Sequence, residues 1–263
     1  MKLILEHINY IRNQSIILED INLELEENHY VLIGPNGSGK TTLLSIITGL
    51  EWPTTGKSQI EMNHNRYYSA HQKPLFGYFF PKISSWFEAY HPEISILETL
   101  CTGFYDQLGY YTEATDKEKE IAMSFLKEYI PSVSEKDYHK KFHHLSTGEK
   151  YRTLLLRSMI KNPKILVLDE PFDGLDIKGR IQFEQFIHQI AKKINFIILV
   201  LHRIEEIPQF IKKAILLKNG KVFFFGNLDD ALTSKNFSQL YDIDLEIQRI
   251  YQRYYAILRK PTY

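Results

Sequence analysis

The chain has 263 residues, 44% of them hydrophobic, which is enough for a substantial core. Its 32 basic and 32 acidic side chains cancel, so nothing suggests a broad nucleic-acid or anionic-membrane footprint. The single cysteine, Cys101, excludes an intrachain disulfide and suits a reducing compartment, where it reads as a small buried apolar residue. Met1 to His7 alternates like a strand and lacks the apolar core and small-residue cleavage site of a signal peptide. No run approaches the ~18 apolar residues that would suggest a bilayer span.

In chain order, residues 3–33 alternate or run apolar in short stretches, broken by Arg12-Asn13-Gln14-Ser15 and Glu26-Glu27-Asn28-His29. That predicts an antiparallel β part leading into a first buried strand, Tyr30 to Ile33. Gly34-Pro35-Asn36-Gly37-Ser38-Gly39-Lys40-Thr41 follows, a complete G-x-x-x-x-G-K-[ST] phosphate-binding loop. Its glycines let successive N–H groups curl around one anion, Lys40 reaches the β- and γ-phosphates, and the Thr41 hydroxyl can hold Mg²⁺. The helix predicted from Thr42 adds the positive end of its dipole.

Residues 57–72 read as further short strands. Residues 76–144 carry helical patterns without strong strand alternation, notably Asp116 to Tyr129, where Ile121, Phe125, Leu126 and Tyr129 recur at helical spacing. The aromatics Phe76, Tyr78, Phe79, Phe80, Trp86, Phe87 and Tyr90 either fill the small core of this segment or form a dock for a partner. Leu145-Ser146-Thr147-Gly148-Glu149-Lys150 precedes another helical pattern. Ile165 to Leu168 is a continuous apolar run ending in Asp169 and Glu170, as expected of a strand covered on both faces. Pro171-Phe172-Asp173-Gly174-Leu175-Asp176 comes next, and Phe196 to Leu201 is another apolar strand ending at His202. Ligands of open α/β sheets bind outside the carboxyl ends of strands, so these strand-end groups belong on one rim. Lys218-Asn219-Gly220-Lys221 signals a hairpin. Ile243, Ile247, Ile250, Tyr251, Tyr254 and Ile257 have helical spacing, which predicts an amphipathic helix from Asp242 to Leu258, packed on its own domain or against a partner.

From Leu3 to about Leu232 this set resembles the nucleotide-binding domain of ATP-binding-cassette (ABC) ATPases. Leu145–Lys150 is its most specific element, because it looks like the family signature L-S-G-G-Q, with Thr147 and Glu149 as departures. Leu-Ser-Thr-Gly-Glu with Glu-Pro-Phe-Asp-Gly-Leu-Asp, and Glu206-Ile207-Pro208 after the histidine, looks loosely like a branch associated with molybdate or iron uptake. The resemblance implies an α/β fold: a P-loop NTPase (RecA-like) core with an antiparallel β part. A helical subdomain would be inserted at about 76–160 within a domain of residues 1–232, and a C-terminal helical extension would cover 233–263.

The resemblance also implies ATP and Mg²⁺ as ligands. The nucleotide would be held by Gly34 to Thr42, that is Gly34, Pro35, Asn36, Gly37, Ser38, Gly39, Lys40, Thr41 and Thr42. Tyr10 would stack on adenine, unless it is simply a half-buried strand residue. Thr41, Asp169 and Gln72 would hold the metal, and Glu170 would orient the attacking water. Gln72 would link metal and water to the helical subdomain, and His202 would read the γ-phosphate. Ser146, Gly148 and Asp176 would complete the ATP site of a second subunit in a head-to-tail homodimer. A separate integral-membrane permease is the implied partner, with this chain cytoplasmic, on the inner face of the membrane. The alternative is a soluble, non-transport ABC ATPase acting on a macromolecule. No direct nucleic-acid contact is expected.

Overall fold

The computed structural model describes residues 1–68, 73–105, 113–131 and 133–259. In chain order come strands β1 (Lys2–Arg12), β2 (Ser15–Glu26) and β3 (His29–Ile33), helix α1 (Lys40–Ile47), and strands β4 (Thr55–Met62), β5 (Asn65–Tyr68) and β6 (Phe76–Phe79). Helices α2 (Lys82–Tyr90), α3 (Ile96–Cys101), α4 (Asp116–Tyr129) and α5 (Thr147–Met159) lead to β7 (Ile165–Asp169) and α6 (Ile177–Ala191). The chain ends with β8 (Ile197–Val200), β9 (Lys213–Lys218), β10 (Lys221–Asn227), α7 (Leu228–Ala231), α8 (Ser234–Tyr241), β11 (Leu245–Ile250) and β12 (Arg253–Leu258). These elements form two compact units, Met1–Phe76 with Ile194–Tyr263, and Gly77–Lys193.

The first unit holds the antiparallel sheet β2-β1-β4-β5. Its β1–β2 hairpin closes through Asn13 and Gln14, both at positive φ (49° and 64°), the geometry of a tight two-residue turn matched to strand twist. Leu3, Leu5, Ile8, Leu18, Ile21, Leu23 and Leu25 are buried, so one face of the alternating pattern lies inside. In the same unit β3 pairs in parallel with both β8 and β9. These three strands are buried almost throughout, which is why they read as apolar runs rather than alternations. Strand β10 returns antiparallel through Asn219 and Gly220, at φ 48° and 74°, as the hairpin signal predicts.

The C-terminal helix expected from Asp242 to Leu258 is corrected by the structure. Helix α8 stops at Asp242, which is left-handed (φ 57°), and β11 and β12 form a hairpin turning at Tyr251 and Gln252. The helical spacing of Ile247, Ile250, Tyr254 and Ile257 is real, but β-branched and aromatic residues equally suit a pleated surface. Tertiary partners decide between the two. The N–H groups of Leu245 and Ile247 donate to the hydroxyls of Ser238 and Ser234 at 2.9 Å. The Arg253 guanidinium donates to the Glu205 carbonyl at 2.9 Å, and the Tyr254 hydroxyl bonds Asp229.

The second unit is mainly helical. Three of its helices open with reciprocal caps, Ser95 with Glu98, Thr115 with Glu118 and Ser146 with Glu149, each satisfying two otherwise unpaired donors. Helix α4 spans Asp116–Tyr129 as its periodicity predicts. A second correction falls at the start of this segment. Phe76–Phe79 is a strand, β6, beside β7 in a sheet, so the helical insert begins after it. Four residues with a glycine among them give too little alternation to reveal a strand. The aromatics divide between the two expected fates. Phe79 and Phe87 are buried, Phe79 against Tyr151 and Phe183, whereas Tyr90 is exposed. Cys101 is buried, and burial pushes its thiol up to about 11, as for a packed rather than reactive cysteine.

Candidate functional site

In the first unit, β3 delivers the chain into the Gly34–Thr41 loop and α1 carries it away. A side chain at Gly34 would run into the Leu217 carbonyl, so only glycine lets the loop pass β9. Gly37 and Gly39 are at φ 77° and 99°, the left-handed region open to glycine at no steric cost. The β9–β10 turn braces the loop, because Gly220 N–H donates to the Ser38 carbonyl at 3.1 Å. Strand β2 in turn braces that turn, with Glu19 N–H donating to the Gly220 carbonyl at 2.9 Å.

Lys40 is only 7% exposed, and its ammonium donates to the Gly34 and Pro35 carbonyls at 2.7 and 3.0 Å. The Ser38 hydroxyl is buried with no partner among the described residues. An orphaned donor at the start of a helix is costly unless a ligand such as an anion satisfies it. The loop therefore fits a nucleotide phosphate chain. Thr41 is exposed, so its hydroxyl is open to a metal ion.

Two further expected residues lie in this unit. The parallel register pairs Leu32 with Val200, and exposed His202 follows two residues after the end of β8. Tyr10 is half-buried on β1 beside register shifts, and its cross-strand partner is Leu18, whose side chain packs on Gly39. A hydrogen bond to the Glu51 carboxylate raises the Tyr10 pKa.

The acidic residues belong to the second unit. Asp169 ends β7 half-buried, and the Tyr78 hydroxyl of β6 donates to its Oδ2 at 3.0 Å. Burial first, then the Asp169 charge, raises the Tyr78 pKa, so the phenol keeps its proton. Among the described residues no three His, Cys, Asp or Glu side chains form a metal cluster. Mg²⁺ needs none, because it takes one or two carboxylates plus substrate phosphates, and Asp169 is a carboxylate of that kind. Glu170 follows at φ 50°, a left-handed conformation that costs a non-glycine residue about 1–3 kcal/mol and clusters at functional sites. The turn after it is tied down. Asp173 N–H donates to the Glu170 carbonyl at 3.1 Å, and the Tyr151 hydroxyl donates to the Asp173 carbonyl at 2.8 Å.

Ser146 caps α5. Its N–H and hydroxyl donate to the Glu149 carboxylate at 2.8 and 2.9 Å, and Glu149 N–H donates back at 3.4 Å. Burial pushes the Glu149 carboxyl up, but the Ser146 hydrogen bonds and the charges of Lys140 and Arg152 outweigh it and hold the group below its usual range. The glutamate at a family glutamine position thus has a local role in the cap, which either residue type can fill. Asp176 likewise caps α6, its carboxylate accepting from Gly179 N–H at 2.6 Å. Gln72 lies outside the described residues. Sequence reasoning missed Tyr78 as a site residue, because the four-residue strand that carries it is too short to show as one. It also missed the braces supplied by Tyr151 and Gly220, which no local pattern reveals.

A family model described as "ABC transporter" matches residues 18–173. The chain is 32% identical over 250 residues to the uncharacterized ABC transporter ATP-binding protein YlmA of Bacillus subtilis, covering 94% of this chain and 93% of that one. Its fold resembles cbiO1 from Clostridium perfringens, part of the ABC transporter complex cbiONQ, with a TM-score of 0.72 at 22% identity over 90% and 92% of the two chains. It also resembles a dimeric post-hydrolysis state of the ATP-binding cassette MJ0796 bound to ADP and Pi, with a TM-score of 0.65 at 24% identity over 86% and 98%. With a phosphate loop whose lysine and serine are buried and a buried strand ending in two acids, the chain belongs to the ABC transporter family, as one of its ATP-hydrolysing, ATP-binding subunits.

Proposed function

We propose that the chain works as a head-to-tail homodimer that hydrolyses ATP to drive a separate membrane-embedded permease from the cytoplasmic face of the membrane. The observation that carries the dimer is Gly148. It sits in the first turn of α5, and a Cβ added there meets nothing within 4 Å. The protomer has no steric need for that glycine, and a partner subunit's nucleotide pressed onto the helix start has one. The dimeric MJ0796 cassette supports the arrangement. The cbiO1 assembly supports a permease partner.

The residue roles follow from their chemistry. Lys40, Ser38 and the loop N–H groups hold the β- and γ-phosphates. Thr41 and Asp169 hold Mg²⁺, which when bound neutralises charge on those phosphates. Glu170 orients the attacking water and takes its proton, and His202 reads the γ-phosphate from the end of β8. Ser146 and Gly148 cover the partner's γ-phosphate, and Asp176 contributes to nucleotide binding.

Gly148→Asp places a carboxylate where that phosphate must sit. Each monomer is expected to bind ATP while hydrolysis collapses. Mixing it with Lys40→Ala subunits should restore part of the activity, since one composite site then carries neither lesion. Normal hydrolysis by a Gly148→Asp protein that stays monomeric under turnover would refute the dimer. Tyr10→Ala tests adenine stacking, worth roughly 0.5–1.5 kcal/mol beyond area burial. It is expected to weaken ATP binding by about tenfold at most and to leave the saturated rate nearly unchanged. Unfolding of Tyr10→Ala in a thermal melt would instead mark Tyr10 as a core residue.

A further inference from the structure

Asp169 is the last residue of β7 and half-exposed. Tyr78 restrains its carboxylate. Its hydroxyl lies 3.0 Å from Asp169 Oδ2, within the range of an O–H···O hydrogen bond. The strand bearing it is wedged in place. A side chain at Gly77 would collide with the Ser158 carbonyl at the end of α5 and crowd Leu166 of β7, so β6 lies tight against both. On one side of Tyr78, Phe79 is buried against Tyr151 and Phe183. The Tyr78 ring also packs against Phe80, with centroids 5.3 Å apart. The phenol thus has little room to move, and one carboxylate oxygen is tied to a rigid strand. A carboxylate has about four acceptor sites, so the Tyr78 hydrogen bond does not by itself prevent it from taking a metal ion.

We propose that Tyr78 is a positioning residue for this ATPase, holding the Asp169 carboxylate in the orientation in which it receives Mg²⁺. This rests on the reading of Asp169 as the metal-holding acid. Tyr78 acts through Asp169 and touches no substrate. Groups that orient a metal's protein ligands commonly account for 10- to 100-fold of metal affinity or activity.

The test compares the whole chain with its Tyr78→Phe and Asp169→Asn variants. Tyr78→Phe keeps the ring and its packing and removes only the hydroxyl. Three quantities are measured: the Mg²⁺ concentration for half-maximal hydrolysis, Mn²⁺ affinity by electron paramagnetic resonance with a non-hydrolysable ATP analogue, and analogue affinity in EDTA. Tyr78→Phe is expected to weaken both metal constants by about tenfold or more. Its rate at saturating metal and its metal-free nucleotide affinity should stay within about threefold of wild type. Unchanged metal constants in Tyr78→Phe, with Asp169→Asn impaired, overturn the role of Tyr78 alone. Metal-free nucleotide affinity falling in step with the metal constants also overturns it, because the lesion is then not specific to the metal. An Asp169→Asn protein with wild-type metal dependence overturns the reading of Asp169, and the proposal with it.

Discussion

Glu170→Gln is expected to cut ATP hydrolysis by about 10² or more, the scale of losing a general base, while ATP binding persists. The substitution separates charge from shape. Glutamine is nearly isosteric and can occupy the same left-handed backbone, φ 50°, whose strain is already met by the turn from Glu170 to Asp173 and the brace from Tyr151. The fold should therefore be unaffected, and only proton acceptance from water is lost. With hydrolysis blocked and ATP bound, the closed dimer should accumulate. Size exclusion in ATP is expected to show a dimer for Glu170→Gln that outlives the wild-type one. A variant with full turnover would remove Glu170 from the chemistry.

Lys40→Ala should act one step earlier, on binding. The Lys40 ammonium is almost wholly buried and is held by two neutral carbonyls, at 2.7 and 3.0 Å. A triphosphate offers this buried cation charged acceptors. Removing one partner of a buried charge pair costs about 3–5 kcal/mol, which is a loss of about 10²–10³-fold or more in affinity. Stability without nucleotide should change less. The carbonyls lose a donor, worth about 1–3 kcal/mol if left unsatisfied, but a desolvated charge is removed with it. Thermal unfolding with and without ATP distinguishes these effects. At a ligand concentration 100 times the wild-type Kd, wild type gains about 2.7 kcal/mol, and a variant binding 10²-fold more weakly gains about 0.4 kcal/mol. An equal ATP-induced rise in Tm for both proteins would contradict the role of Lys40.

The amino-acid sequence by itself determined the features whose physics is local. Gly34 to Thr41 reads as a phosphate loop because its glycines and Lys40 are spelled contiguously, and the structure adds the buried Ser38 hydroxyl and the Lys40 contacts. The buried strands β3, β7 and β8 show as apolar runs because both their faces are covered. Helix α4 shows because a 3.6-residue period over fourteen residues is hard to mistake. Tertiary structure alone decided what rests on partners distant in sequence. The run from Asp242 to Leu258 satisfies both periods, and Ser234, Ser238, Glu205 and Asp229 fix it as a hairpin. Strand β6 is too short to announce itself and exists because its neighbour β7 and the end of α5 receive it. That docking brings Tyr78 to Asp169 across a separation of 91 residues. No spacing rule spans such an interval, because a hydrogen bond between side chains depends on where two strands come to rest and not on the residues between them.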